Sequence, residues 1–233
     1  MKKYKLLSSI FYNLSNKIIS VSEGVKQDIL NNTFINKNKI ITIYNPVPDH
    51  GYRIKNIINK KFTLVTVGKL KSQKNHILLC NSINLLNDNI KKNIILHIVG
   101  DGELENNLKN YIKSNQLGEI INLVGYKSDP MKFVTNCDLF VLSSDYEGLP
   151  TVLIEAMYTG IYILSTDCPH GPKEILCDYP NSLLVPIKDP LILSKSIEKI
   201  YLEKKIKNSV KIEFNKFDPE IAYVQYHSLV YEK

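Results

Sequence analysis

Residues 138–160 read DLFVLSSDYEGLPTVLIEAMYTG, and the fold follows from how this stretch is parsed. The apolar run 138–143 predicts a strand. A tight loop follows, and Pro150 suits the first turn of a helix because its missing N–H would find no partner there. The N–H groups of Gly148, Leu149 and Thr151 then point out of the helix end, and such an end attracts anions. Glu147 lies in the loop and Glu155 early in the helix, so both carboxylates can face one ligand. They would accept hydrogen bonds from its hydroxyls while backbone amides hold a phosphate or an electron-rich ring oxygen, and a sugar nucleotide has both features. Taken in isolation, the same two residues also read as one glutamate complementing a helix dipole and one solvated on the surface.

Downstream of residue 62, apolar runs alternate with amphipathic segments. The predicted strands are 62–67, 94–99, 121–125, 138–143, 161–166 and 182–186. Helices fall between them, and two more close the chain around 190–206 and 218–231. Continuous apolar strands separated by helices predict an α/β fold, a doubly wound parallel sheet covered on both faces. Its ligand belongs at the C-terminal ends of the strands. The loops there carry residues 68–74, 100–102, 125–126, 144–150 and 167–171. Upstream, 4–14 reads as a helix with Leu6, Leu7, Ile10, Phe11 and Leu14 at helical spacing. Residues 17–22 read as a short buried strand, and 23–31 as a helix capped by Ser22. Residues 39–52 read as a strand running into a linker, because Pro46, Pro48 and Gly51 do not fit a regular element.

Lys69 and Lys74 follow the first strand after the linker. Two cations near Gly68 suit a diphosphate, whose charge grows as a leaving group departs, so their attraction strengthens in the transition state. Solvated surface lysines are the simpler alternative. Gly100-Asp101-Gly102 resembles a phosphate loop, but no third glycine stands at the dinucleotide spacing, which argues against NAD. A strand-to-helix turn with Asp101 and Glu103 complementing the helix N-terminus accounts for the same residues.

EGLPTVLIE (147–155) has companions in order: VGKLKSQKNH (67–76), VGDGELENNL (99–108), VGYKSDP (124–130) and STDCPHGPKEIL (165–176). Together they resemble the group 1, family 4-like retaining glycosyltransferases of the GT-B fold, which have two Rossmann-like domains. The resemblance runs from about residue 17 to the C-terminus and matches the nucleotide-binding second half. It implies that Glu155 holds ribose hydroxyls, that Glu147 faces the transferred sugar, and that Gly148, Leu149 and Thr151 serve sugar and phosphate. It further places Gly68, Gly100 and Gly102 near the donor, Tyr126 at the nucleotide base, and His170 in a loop that can touch the donor. A lone histidine in a proline-rich loop also reads as structural. Catalysis would rest on Glu147, Lys74 and Lys69. The family usually has Arg where Lys69 stands, and lysine keeps the charge without the bidentate fork.

The implied chemistry is departure of a nucleoside diphosphate with net retention at the anomeric carbon. No Asp-x-Asp metal signature occurs, so the resemblance implies neither metal nor other cofactor, with lysines and helix ends as the cations. SDYEGLP combined with DCPxGPxEIL is common in relatives that build surface polysaccharides and lipid-linked oligosaccharides. This implies a hexosyltransferase that uses a UDP-sugar and a lipid-linked or polysaccharide acceptor in cell-envelope glycan synthesis. The expected organisation is a remnant of the acceptor-side domain over 1–45, a linker over 46–61, a nucleotide-sugar-binding domain over 62–210 and a crossover helix over 211–233. With so little of the first domain, the acceptor half is expected either on a separate polypeptide or lost from this reading frame, and a decaying remnant that folds poorly is a further reading. The alternative is a truncated nucleotide-sugar-binding module without turnover.

Composition sets the remaining bounds. The chain has 233 residues, 44% of them hydrophobic, enough for a packed core. Residues 1–61 carry 11 Lys and Arg against 3 Asp and Glu, a balance of +8, whereas residues 62–233 carry 19 against 20, a balance of −1. A basic front on a neutral body suggests a membrane surface of anionic lipid or a polyanionic lipid-linked acceptor. Heavy use of lysine throughout is the compositional alternative. No basic patch interleaved with aromatics marks nucleic-acid binding. The N-terminus lacks the pattern of a signal peptide, so the chain is expected to be cytoplasmic, peripheral on the inner face of the cytoplasmic membrane. Cys80, Cys137, Cys168 and Cys177 match no zinc spacing and are expected to be reduced thiols.

Overall fold

The computed structural model describes residues 2–54, 60–203 and 215–231, and of residues 2–7 and 215 the backbone alone. The chain begins with α1 (Lys2–Leu14), β1 (Ile18–Ser20), α2 (Glu23–Asn32) and β2 (Ile40–Thr42). β1 and β2 form a separate parallel pair with α2 as their crossover. Ser22 caps α2 as expected, its side chain accepting from the N–H of Val25.

The main sheet holds β3 (Phe62–Val67), β4 (Ile94–Val99), β5 (Ile121–Gly125), β6 (Leu139–Leu142), β7 (Ile163–Thr166) and β8 (Ser182–Val185). Their order is β5-β4-β3-β6-β7-β8, and every neighbouring pair is parallel. The helices that connect and follow them are α3 (His76–Asn84), α4 (Asp88–Lys92), α5 (Glu105–Ser114), α6 (Met131–Val134), α7 (Thr151–Thr159), α8 (Pro172–Leu176), α9 (Pro190–Leu202) and α10 (Pro219–Tyr231).

Alternation along the strands feeds two cores. Leu64, Leu96, Leu139, Val141 and Leu164 pack with Leu79 and Ile83 of α3, Leu108 of α5 and Ile197 of α9. Val65, Val99, Phe140, Leu142 and Ile163 pack with Leu153 and Met157 of α7 and Ile175 of α8. Burial on both faces is why the strands read as continuous apolar runs, and the sheet is doubly wound and Rossmann-like as expected. β3 is flanked by β4 on one side and β6 on the other, so the connections change direction between β3 and β6. That reversal opens a crevice at the C-terminal ends of these two strands.

Some boundaries differ from the sequence reading. β6 is shorter than 138–143, because Asp138 uses its carboxylate to accept from the N–H of Thr63 and Ser143 turns its hydroxyl to the carbonyl of Lys74. β8 stops before Pro186, which has no N–H to donate. Residues 43–54 form no regular element, residues 55–59 of the expected linker lie outside the described residues, and so does the expected boundary at 210. Leu6 and Leu7 of the first helix also lie outside the described side chains, while Phe11 and Leu14 are exposed. Of α10 only Ala222 is buried, and Tyr223, Val224, Val230 and Tyr231 face solvent. Among the described residues no helix is long and apolar enough to cross a membrane.

Candidate functional site

The loops after β3 and β6 are joined at the crevice. The N–H of Asp145 donates to the carbonyl of Gln73 at 2.9 Å, and Asn75 donates from its side chain to the Asp145 carboxylate at 2.8 Å. Asn75 adopts a left-handed conformation, φ 42°, while its side-chain oxygen caps α3. This brings Lys74 to Glu147, with Nζ 2.6 Å from Oε1. The Glu147 side chain is only 6% exposed and that of Lys74 16%. Ser144 Oγ donates to the same Oε1 at 2.6 Å, and Gln73 donates to Oε2 at 3.2 Å. Glu147 and Lys74 are thus each other's partner, not two groups facing a ligand independently. Neither Ser144 nor Gln73 was singled out by sequence, which offers no periodic signal for a polar side chain buried beside a loop carboxylate.

The backbone of Glu147 is fixed as well. Its N–H donates to the Pro169 carbonyl at 2.6 Å, and the His170 N–H donates back to the Glu147 carbonyl at 2.7 Å. His170 therefore stands beside Glu147, with its ring packed on Gly24 of α2, where an added Cβ would come within 2.8 Å of the imidazole. Ser22 completes this rim by donating to the Gly148 carbonyl at 2.9 Å. Glu174 of α8 accepts from the N–H of Glu23 at 2.9 Å and from the Tyr44 hydroxyl. Burial and this carboxylate push the Tyr44 phenol upward. The N–H groups of Gly148, Leu149 and Thr151 make no hydrogen bond among the described residues, in keeping with their place before and at the start of α7.

Lys69 is exposed and its ammonium has no ion-pair partner among the described residues. Gly68 lies under the stem of Lys74. Gly100 and Gly102 have a packing reason of their own: a Cβ on Gly100 would sit 2.0 Å from the Gly68 carbonyl oxygen, and one on Gly102 2.6 Å from that of Leu70. α5 begins only at Glu105, and its cap residue Leu104 makes no side-chain cap bond. Asp101 and Glu103 are exposed, as is Tyr126, while Gly125 pairs with Gly100 across the strand ends. His76 is buried, and burial with the nearby Lys74 charge lowers its imidazole to about 4. Burial beside Glu147 pushes the Cys168 thiol up to about 12.

Glu155 lines a cavity of about 320 Å³ together with His50 and Tyr52 of the segment after β2, Ser128 and Met131 near the start of α6, and Tyr158 of α7. Glu147, Lys69 and Lys74 do not line it. The structure thus divides the expected site into a cationic, carboxylate-bearing loop cluster and a nucleoside-sized cavity. The Glu155 carboxylate makes no hydrogen bond among the described residues. Burial raises its carboxyl above the ordinary carboxylate value, and the His50 charge partly offsets this. Among the described residues no group of three or more His, Cys, Asp or Glu side chains could hold a metal ion.

Comparison with known proteins fits this arrangement. An uncharacterized glycosyltransferase of Methanocaldococcus jannaschii is 34% identical over 173 residues, covering 74% of this chain and 39% of that protein. The Campylobacter jejuni N-acetylgalactosamine-N,N'-diacetylbacillosaminyl-diphospho-undecaprenol 4-alpha-N-acetylgalactosaminyltransferase is 29% identical, covering 92% of this chain and 60% of its own length. The chain therefore spans between two fifths and three fifths of these relatives. Among solved structures, HepE of Anabaena in complex with UDP and glucose superposes with a TM-score of 0.83 at 16% identity, over 96% of this chain and 65% of that one, a likeness of fold. Residues 52–216 match the family model of glycosyl transferases group 1, and with that match spanning the sheet, the crevice and both glutamates, the chain belongs to this family.

Proposed function

We propose that this chain carries the donor site of a retaining, family 4-like glycosyltransferase that moves a hexosyl group from a UDP-sugar to a lipid-linked or polysaccharide acceptor in envelope glycan synthesis. The observation that carries the reading is the pairing of Lys74 with a nearly buried Glu147 at the point where the strand order reverses, next to a cavity into which Glu155 brings an unpartnered carboxylate. In this reading the ribose hydroxyls donate to Glu155. The diphosphate meets Lys69, Lys74 and the amides of Gly148, Leu149 and Thr151, and the sugar hydroxyls reach Glu147. As the anomeric C–O bond breaks, its electron pair leaves with the diphosphate, and cations already placed there stabilise the growing charge. The acceptor hydroxyl gives its proton to the departing diphosphate oxygen as its own oxygen bonds the anomeric carbon on the face the diphosphate vacates, giving retention. Lysines and amides take the place of a metal, so activity is expected to survive chelation.

The acceptor class is supported by the diphospho-undecaprenol substrate in the name of the Campylobacter relative. The basic balance of residues 1–61 supports a place on the inner face of the cytoplasmic membrane. A second reading, a nucleotide-sugar-binding module without turnover, is supported by the nearly buried Glu147 being already paired with Lys74. Calorimetric titration with UDP, GDP and ADP tests the donor site. UDP is expected to bind selectively, and Glu155→Ala to weaken it by about 1 to 3 kcal/mol, the cost of lost charged hydrogen bonds. Equal affinity in both proteins removes Glu155 from the site, and hydrolysis of a UDP-sugar by the chain separates an enzyme from a binding module.

A further inference from the structure

The cavity beside Glu155 is built in part by a segment that sequence reads as a plain linker. Segment 48–52 supplies Pro48, Asp49, His50 and Tyr52 to the lining. It is held at both ends. The Val47 N–H donates to the Phe217 carbonyl at 2.9 Å, Tyr158 donates its hydroxyl to the Val47 carbonyl at 3.1 Å, and the Ile54 N–H donates to the Thr159 carbonyl at 3.0 Å. In the middle, the Tyr52 hydroxyl donates to the Asp129 carboxylate at 2.9 Å, and Asp49 accepts from the Gly51 N–H at 2.8 Å. These bonds order the wall from within the chain, which lowers the ordering cost of binding.

Its chemistry selects a part of the nucleotide. No lysine or arginine lines the cavity, while three carboxylates do. Asp49 is engaged by Arg53 and Asp129 by Tyr52 and Lys132, so Glu155 is the acceptor left over. A diphosphate would be repelled here, and a neutral group bearing hydroxyls and N–H donors is accepted. The rings of His50 and Tyr52 stand 6.5 Å apart at 75°, offering two aromatic faces at a corner. We propose that segment 48–52 is a nucleoside-binding element in which His50 and Tyr52 hold the base while Glu155 holds the ribose. Resting as it does on the donor-site reading, this makes the segment between β2 and β3 part of what selects the donor.

The test titrates uridine, UDP and inorganic diphosphate into the wild-type chain and into His50→Ala, His50→Gln and Tyr52→Phe, with Glu155→Ala alongside. Loss of a base-stacking ring is expected to weaken uridine and UDP about 10-fold or more in both His50 variants, leaving inorganic diphosphate unchanged. Tyr52→Phe keeps the ring but removes the hydroxyl that donates to Asp129, and is expected to weaken the same two ligands by less. His50→Gln shows whether a hydrogen bond alone suffices: wild-type affinity there, or in His50→Ala while Glu155→Ala has lost uridine, overturns the inference and leaves the donor site standing. A wild-type chain that binds neither uridine nor UDP overturns both.

Discussion

Glu155 illustrates at a single position how a binding group weighs on stability. Its carboxyl is raised mainly by burial, with His50 pulling the other way. A carboxyl raised in the folded state means that the native protein binds more protons than the unfolded chain across that interval. Stability is therefore full below the ordinary carboxylate value and falls as pH rises through the raised one. Glu155→Gln removes the penalty, so its urea midpoint is expected to exceed that of the wild type at pH 7 and to converge with it near pH 4, while UDP affinity falls. A midpoint difference that does not change with pH would count against burial as the cause. The sequence places this residue near the start of a helix but is silent on the cost of the place, because burial depends on the fold around it, and His50, Tyr52 and Met131 line the same cavity from distant segments. Lys74 shows the complementary case: its charge is visible in the sequence, and its prior commitment to Glu147 is not.

At the level of the element, strands were legible and loops only in part. β3, β4 and β5 run over the residues their apolar patterns delimit, because a strand buried on both faces writes its whole length in hydrophobic residues. Loop residues carry roles that no local pattern records. Ser22 is visible as a cap, yet the same hydroxyl also donates to Gly148, 126 residues away. Glu174 reads as the opening of a short helix, and in the fold its carboxylate sits on the N-terminal amides of α2. Gly100 and Gly102 read as a phosphate loop, and their placement against the turn after β3 follows from close backbone contact. With φ 142° and a Cβ that would fall 2.0 Å from the Gly68 oxygen, Gly100→Ala is expected to cost about 3 kcal/mol or more. Chemical denaturation measures this, and an unchanged midpoint would mean that the 68–70 turn yields at little cost.

For the molecule as a whole, the strands of the main sheet mostly pair with their sequential neighbours, so its contacts close shorter loops than those of the site's rim. The rim of the candidate site is different, since it exists only when the β1–α2 turn meets the loops after β6 and β7. In refolding from urea, far-UV circular dichroism is expected to recover before UDP binding, and Glu174→Ala to widen the interval. Simultaneous recovery in both proteins would show that the rim forms with the sheet. The Glu23 amide and the Glu174 carboxylate that receives it are 151 residues apart. On a ribosome adding about 5 to 20 residues per second, the Glu23 segment waits about 8 to 30 s for that partner to be synthesised. Glu23 therefore leaves the ribosome well before the carboxylate that fixes its place has been made.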